Sequence, residues 1–392
     1  MKVFYIDGIR TPFGSLGGTL STLSAPQLAA PLLGSLIQRN DLGPKAIDEV
    51  VLGQVIQAGS GQAPARQAMR LAGLDDATAA MTINKVCGSG LKSLMLGGAS
   101  ILTSESRLVL AGGMESMSQA PHGLLKARAG LRSGDKPLVD LLFHDALTDP
   151  DSGQPMGWLV EQQLKGKQIS RDAQDEFCLR SYQAALDAQR NGRLAKEILP
   201  ITIEDRKGYM VVDTDEEPGK VKFDKIPQLK PVFDPQGSLT AANSSSINDG
   251  AAAVLLASEA EAQARGLVPK AELVCWATAS LAPKDFTLAP IPAIQRVLEK
   301  ARLKIKDIDL FEINEAFAAV PLLAIGALAL DPRRLNVNGG AVALGHPVGA
   351  SGARLVVTLV EELIQRQARY GIVALCIGGG EAVAALFKRW EG

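Results

Sequence analysis

The chain has 392 residues, 46% hydrophobic and 21% charged, with 41 Lys+Arg against 42 Asp+Glu and a net charge of -1. That length allows two or three domains, or one large duplicated unit, with more than one sizeable core. The hydrophobic content excludes a disordered chain, and the charge balance argues against a nucleic-acid binder. In chain order, Met1 to Ile6 opens directly as a strand, with no signal or transit segment ahead of it. Ala25 to Gln38 reads as a helix and Val50 to Gly53 as a strand. Gly90 to Leu102 is again helical and Leu108 to Ala111 a strand. From about Pro121 to Leu239 the chain is richer in charge, Pro and Gly, with loops at Gly130 to Gly134 and Thr214 to Gly219. This stretch reads as an insertion or lid. Within it Ser170 is an N-cap for a helix to Asn191, stopped by Gly192. Ala316 to Leu330 is the most apolar stretch. At roughly 15 residues, broken by Pro321 and Gly326, it is too short to span a bilayer and predicts a buried helix. Gly352 to Arg366 is the last helix and Ile372 to Leu375 a strand. Strands apolar throughout suit an α/β fold whose sheet is covered on both faces.

Two stretches follow the same order. Ala46 to Gly53, Thr82 to Gly90 and Ser106 to Gly113 correspond in order and rough spacing to Ile305 to Phe311, Leu335 to Gly340 and Tyr370 to Gly380. Each set has a strand, then a strand ending in an Asn/Gly-rich turn and a helix, then a strand ending in Gly-Gly. This pattern predicts an internal duplication.

Four cysteines, Cys87, Cys178, Cys275 and Cys376, are scattered with no Cys-x-x-Cys pair. Neither a disulfide framework nor a metal site is expected, and a reducing, cytoplasmic compartment fits. Each thiol is therefore either packing or chemistry. Asn84-Lys85-Val86-Cys87-Gly88-Ser89-Gly90 reads as strand, sharp turn and helix. A sulfur there sits near a helix N-terminus, whose N–H groups should lower its pKa; the bland reading is a small buried hydrophobe. Asn338 to Gly352 wraps five glycines around His346. His122 and His144 lie in the insertion, so His346 is the candidate general base, against a loop histidine satisfied by backbone. Ala374-Leu375-Cys376-Ile377-Gly378-Gly379-Gly380 can present N–H groups to an oxyanion, or is a plain turn. Its spacing does not fit a nucleotide loop. In Glu312-Ile313-Asn314-Glu315-Ala316-Phe317, Asn314 is either a helix cap or a donor aimed into a site.

These motifs, in this order, resemble the thiolase family, and the likeness covers almost the whole chain. Ile6 to Gly14, Gly112 to Ser118 and Asn243 to Ala253 are similar to further family segments. The resemblance implies a duplicated αβαβα five-layer fold with an inserted loop domain. The halves would be 1–119 with 248–268, and 269–392, with the loop domain at 120–247. Leu124 to Asp140 looks like the family's tetramerisation loop, implying a homotetramer. The implied activity is that of an acetyl-CoA C-acetyltransferase, joining two acetyl-CoA to acetoacetyl-CoA plus coenzyme A. The alternatives are a 3-ketoacyl-CoA thiolase cleaving longer chains and, remotely, a non-catalytic acyl or lipid carrier. A decarboxylating condensing enzyme would need a second core histidine.

By resemblance Cys87 is the nucleophile, His346 its proton partner and Cys376 the mover of the α-proton. Asn314 holds a water, and the Gly378 N–H binds an oxyanion. Ser245, Phe233, Phe286, Phe317, Met156, Leu147 and Lys220 (with Lys222 as a second candidate cation) would contact the acyl-CoA. Coenzyme A is a substrate, and no cofactor, metal, nucleic acid or membrane is implied. Two departures bear on the pocket. The family's His-Met-Gly-x-Thr-Ala-Glu is here Pro155-Met156-Gly157-Trp158-Leu159-Val160-Glu161, which predicts that Trp158 reshapes the wall. Its Met-Gly-x-Gly-Pro is here Phe286-Thr287-Leu288-Ala289-Pro290, which predicts a smaller or reshaped acyl pocket.

Overall fold

The computed structural model describes residues 1–166, 169–205 and 208–391. Among the described residues the main sheet has ten strands, of which a two-residue piece, Gly14–Ser15, pairs only with Asn248–Asp249, and nine form the continuous path: β1 (Val3–Arg10), β2 (Glu49–Gly53), β3 (Ala79–Ile83), β4 (Leu108–Ser116), β5 (Asn248–Ser258), β6 (Ala271–Ser280), β7 (Leu310–Ile313), β8 (Tyr370–Ile377) and β9 (Glu381–Arg389). Their spatial order is β7-β8-β9-β6-β1-β5-β4-β2-β3. Read outward from the middle, β1-β5-β4-β2 mirrors β6-β9-β8-β7. Each series has two antiparallel pairings followed by a parallel one. The halves meet where β1 and β6 pair over two residues, Phe4 with Glu272 and Tyr5 with Ala271.

The repeat extends to single side chains. Asp48 accepts the backbone N–H groups of Arg107 and Leu108 at 2.8 and 3.0 Å. Asp309 accepts those of Arg369 and Tyr370 at 2.8 and 2.9 Å. Each carboxylate precedes one strand and locks the start of that strand's parallel neighbour, β4 beside β2 and β8 beside β7. β1, β4 and β5 are buried along their whole length, which is why they are mostly apolar, and the few charged and amide residues in them, Asp7, Arg10, Glu115, Asn248 and Asp249, are buried too.

Helices complete five layers. α1 (Ala25–Arg39) covers the outer face of the first half. α2 (Ser89–Leu102) and α7 (Ser351–Gln365) pack on each other between the halves. α5 (Pro290–Ala301) and α6 (Ala319–Leu328) cover the second half. Three apolar cores fill the spaces between these layers. α6 is not the fully buried helix expected. Gly326 and Ala327 are exposed and Leu322, Leu323 and Ile325 only half-buried, because it lies on an outermost layer with one face uncovered.

Between β4 and β5 the chain leaves the sheet and forms α3 (Met156–Leu164), α4 (Arg171–Arg190) and a two-stranded ladder of Ile201–Asp205 with Gly208–Val212. Ser170 caps α4, accepting from the Ala173 N–H at 3.1 Å, and Gly192 follows in the left-handed region at φ +68°. Arg10 of β1, fully buried, pins this excursion to the sheet. It donates to Glu197 at 2.6 Å and in fork fashion to Asp215 at 2.6 and 2.9 Å.

α2 and α7 place the chemistry. A Cβ on Gly90 would lie 2.7 Å from the Ala353 nitrogen, and one on Gly352 2.3 Å from the Leu91 nitrogen. The two helix beginnings therefore touch backbone to backbone, which only glycine permits. One of these beginnings follows Cys87 and the other follows His346.

Candidate active site

Cys87 occupies the turn from β3 into α2, just ahead of the cap residue Gly88. Asn84 forms the turn: its Oδ1 accepts the Val86 N–H at 2.9 Å, and its amide donates to the Val55 carbonyl at 3.2 Å. Val86, a β-branched residue, is held at φ +46°. Such a conformation costs on the order of 1–3 kcal/mol and persists only where the surroundings impose it.

His346 follows Gly345, whose φ of +100° and close approach to Asn248 exclude any side chain. Asn248 Oδ1 accepts the His346 N–H at 2.9 Å. His346 Nδ1 lies 2.6 Å from Ser351 Oγ, which is also 2.9 Å from the Pro347 carbonyl. That carbonyl can only accept, so the serine proton goes to it and Nδ1–H donates to the serine. Nε2 is left with its lone pair, 3.4 Å from the Asn314 amide nitrogen. Asn314 is fully buried and caps no helix. It is aimed into the site, and its Oδ1 is buried with no hydrogen-bond partner among the described residues.

Cys376 lies near the end of β8. After it Gly379 and Gly380, at φ +87° and +90°, make the tight turn into β9. Gly378 and Cys87 line the same cavity, and the Gly378 N–H favours the Cys87 thiolate.

One cavity of about 180 Å³ gathers most of the expected residues. Cys87, His346, Cys376 and Gly378 line it, as do Ser245, Phe233, Phe286, Phe317, Met156 and Leu147. Asn314 stands behind His346. The Phe317 ring meets Phe233 at 6.2 Å and Phe286 at 6.5 Å, both edge-on.

Two expected residues lie elsewhere. Trp158 does not line the cavity: it is half-buried against the core of the second half, because its position on α3 turns it away. Lys220 is not a free cation. Its ammonium is paired with Glu216 at 2.9 Å and Glu217 at 3.8 Å, outside the cavity. Lys222 is exposed.

The site's electrostatics differ from the expected helix-lowered thiol. Burial pushes the Cys87 thiol up to about 11, and Glu115 adds to the rise. The N–H groups of Gly378 and of Cys87 itself pull the other way without overcoming it. Burial, and the neighbouring Cys87, likewise push the Cys376 thiol up. Burial, then the Arg354 cation, depress His346 to about 3. At neutral pH the resting cavity is thus lined by a protonated thiol and a neutral imidazole with a free nitrogen, the two states a proton transfer needs.

The histidine carries a stability cost in acid. A free imidazole protonates near 6.5 and this one near 3, so the unfolded chain binds the proton first as pH falls. Stability contributed above pH 6.5 is lost between about 6.5 and 3. At 1.36 kcal/mol per unit this amounts to about 2 kcal/mol by pH 5. Melting curves of wild type and His346→Asn from pH 7.5 to 5 should converge by this amount; parallel curves would refute it.

The chain was compared with known proteins. Residues 3–260 match the family model described as "Thiolase, N-terminal domain", and residues 267–389 match "Thiolase, C-terminal domain". The chain belongs to the thiolase family. It is 45% identical to the acetyl-CoA acetyltransferase of Cupriavidus necator, over 99% of both chains. The Acat5 thiolase of Ascaris suum, solved in complex with coenzyme A, superposes with a TM-score of 0.94 at 40% identity, covering 100% of both chains. Human mitochondrial 3-ketoacyl-CoA thiolase gives 0.96 at 37% identity over 99% of both.

Several residues that shape this thiolase site escaped the sequence reading. Glu115, buried in β4, accepts three backbone N–H groups, from Val55, Ile56 and Gly349, at 2.9, 3.2 and 2.9 Å. It thereby ties the loop under the Cys87 turn to the His346 loop. Burial pushes it up to about 7. A lone acid inside the apolar run Leu108–Ser116 was the available signal. Arg354, fully buried near Glu312, is marked in the sequence only as the one cation, beside Glu361 and Glu362, in a largely apolar helix.

Proposed function

We propose that this thiolase is an acetyl-CoA C-acetyltransferase that runs the reversible condensation of two acetyl-CoA to acetoacetyl-CoA plus coenzyme A. The observation that supports it most is a single cavity wall shared by Cys87, Cys376 and His346. In the proposed cycle His346 Nε2 takes the Cys87 proton as the sulfur attacks the acetyl-CoA carbonyl, then returns it to the departing coenzyme A sulfur. Backbone N–H groups of Cys87 and Gly378 stabilise the oxyanion. Cys376, acting in its minor thiolate form, removes an α-proton from a second acetyl-CoA, later passing that proton to the Cys87 thiolate, and the enolate oxygen faces His346 and a water on Asn314. The enolate carbon attacks the Cys87 thioester, the C–C bond forms, the C–S bond breaks, and the Cys87 thiolate recovers a proton. No electrons change hands, so coenzyme A thioesters are substrates and no redox carrier is called for.

Three phenyl rings around about 180 Å³ favour a short acyl group over the longer chains of a 3-ketoacyl-CoA thiolase. Turnover with acetoacetyl-CoA should exceed that with a 3-ketoacyl-CoA of eight or more carbons; the reverse preference would select the second reading. A non-catalytic carrier would show no acetyl group on Cys87 in intact-mass spectra.

We also propose a cytoplasmic homotetramer. Leu125, Leu131 and Leu138 are 48%, 61% and 66% exposed on a single projecting segment, an apolar surface suited to a second copy. Sedimentation giving a monomer would remove this reading. Among the described residues no helix is long and apolar enough to cross a membrane.

A further inference from the structure

Beside the cavity, one ion pair crosses the seam between the halves. Lys85 belongs to the first half and precedes the strained Val86 in the cysteine turn. Glu381 belongs to the second half and is the first residue after Gly378-Gly379-Gly380, opening β9. The Lys85 ammonium donates to Glu381 Oε2, and Ser280, opposite Glu381 on β6, donates to Oε1 at 3.2 Å. The side chains are 20% and 34% exposed.

Each end of the pair is rigidly joined to a reacting group. The Lys85 N–H donates to Ser89 Oγ at 2.8 Å, and its carbonyl accepts from the Gly88 N–H at 3.1 Å, so Lys85 and Cys87 share one turn. Glu381 pairs across the ladder with both Ile377 and Ser280. In the loop between Ile377 and Glu381, Gly380 is held against Leu281, whose N–H donates to the Gly380 carbonyl at 2.8 Å, but the two glycines nearer the cavity are loosely packed. Nothing would touch a Cβ on Gly379, and the nearest atom to one on Gly378 is 3.6 Å away. A three-glycine loop has many conformations to lose, so its placement depends on what anchors its ends. The other charged group here is Lys92 of α2, whose ammonium is disfavoured by burial and by Lys85 and favoured by Glu381. Glu381 thus offsets the repulsion between two cations.

We infer that Lys85 and Glu381 are a positioning pair for acyl transfer: a strap across the seam that sets the Gly378 loop against the Cys87 turn on the shared cavity. The inference rests on the acyl-transfer reading above and adds to it two residues that touch no substrate. Ions that screen the pair should loosen the strap.

The test is the single-turnover rate of Cys87 acetylation by acetyl-CoA, read by quenched intact-mass spectrometry on the full chain. Glu381→Gln and Lys85→Met should each slow acetylation about three- to tenfold, with the half-saturating acetyl-CoA concentration changed less than twofold. The exchanged pair, Lys85→Glu with Glu381→Lys, should recover to within about threefold of wild type. Raising NaCl to 1 M should slow wild type toward the single variants and leave those variants little changed. A merely structural pair would lower the melting temperature without rescue by the exchange and without this salt signature. Single variants at the wild-type rate, or a wild-type rate insensitive to salt, would overturn the strap while leaving the acyl-transfer reading intact. An unacetylated wild-type chain would sink both.

Discussion

Cys87→Ala abolishes acyl transfer, by at least about 10⁴-fold, while the chain keeps its fold and its capacity to bind coenzyme A. The magnitude follows from what the thiol supplies. Without a nucleophile no covalent intermediate forms, and what remains is orientation and oxyanion stabilisation alone. The fold should tolerate the change because Cys87 faces a cavity, so removing its sulfur enlarges an existing space rather than opening one in a packed core. Val86 stays held by Asn84 whichever side chain follows. The check is acetoacetyl-CoA cleavage beside a melting curve. More than about 1% residual activity, or an acetyl group found on another residue of the variant, would remove Cys87 from the role.

Cys376→Ser separates the two halves of the reaction. Condensation should fall about 10³-fold, since a hydroxyl is far too weak an acid to exchange the α-proton and positioned proton transfer contributes on the order of 10²–10⁴. Acetylation of Cys87 uses His346 instead and should continue. The variant mixed with acetyl-CoA should therefore release one coenzyme A per chain in a burst and then stall, with the acetyl group retained on Cys87. Burial already pushes the Cys376 thiol up, so the proton step depends on the substrate filling the cavity and bringing its enolate oxygen to the site. Condensation within tenfold of wild type, or a missing burst, would be incompatible with this division of labour.

Much of the fold is legible in the sequence because its signals are local. Unbroken apolar runs such as Leu108–Ala111 read as strands covered on both faces, and Ser170 and Gly192 bracket α4 as cap and stop. The repeated order of strand, Asn/Gly turn and helix corresponds to the mirrored sheet order on either side of β1 and β6. The departures have physical causes. α6 is apolar all round, a pattern that says nothing of which layer it occupies, and the outermost layer leaves one face bare. The neighbours of Trp158 in sequence put it at the pocket wall, but the direction a helix residue faces belongs to three-dimensional packing.

By itself the sequence determined the residue types at the site, the order of the elements that carry them and the family. Three small-residue turns holding Cys87, His346 and Cys376 are contiguous stretches, and contiguous chain is what local propensity and motif describe. Only the tertiary structure decided how they meet and how they are charged. Gly90 and Gly352 let two helices touch backbone to backbone, although 262 positions apart in the numbering. The apolar walls that close over the sulfur then raise a thiol that helix geometry alone would have lowered. Desolvation depends on every atom around a group, from both halves at once, and no single stretch of chain contains that information.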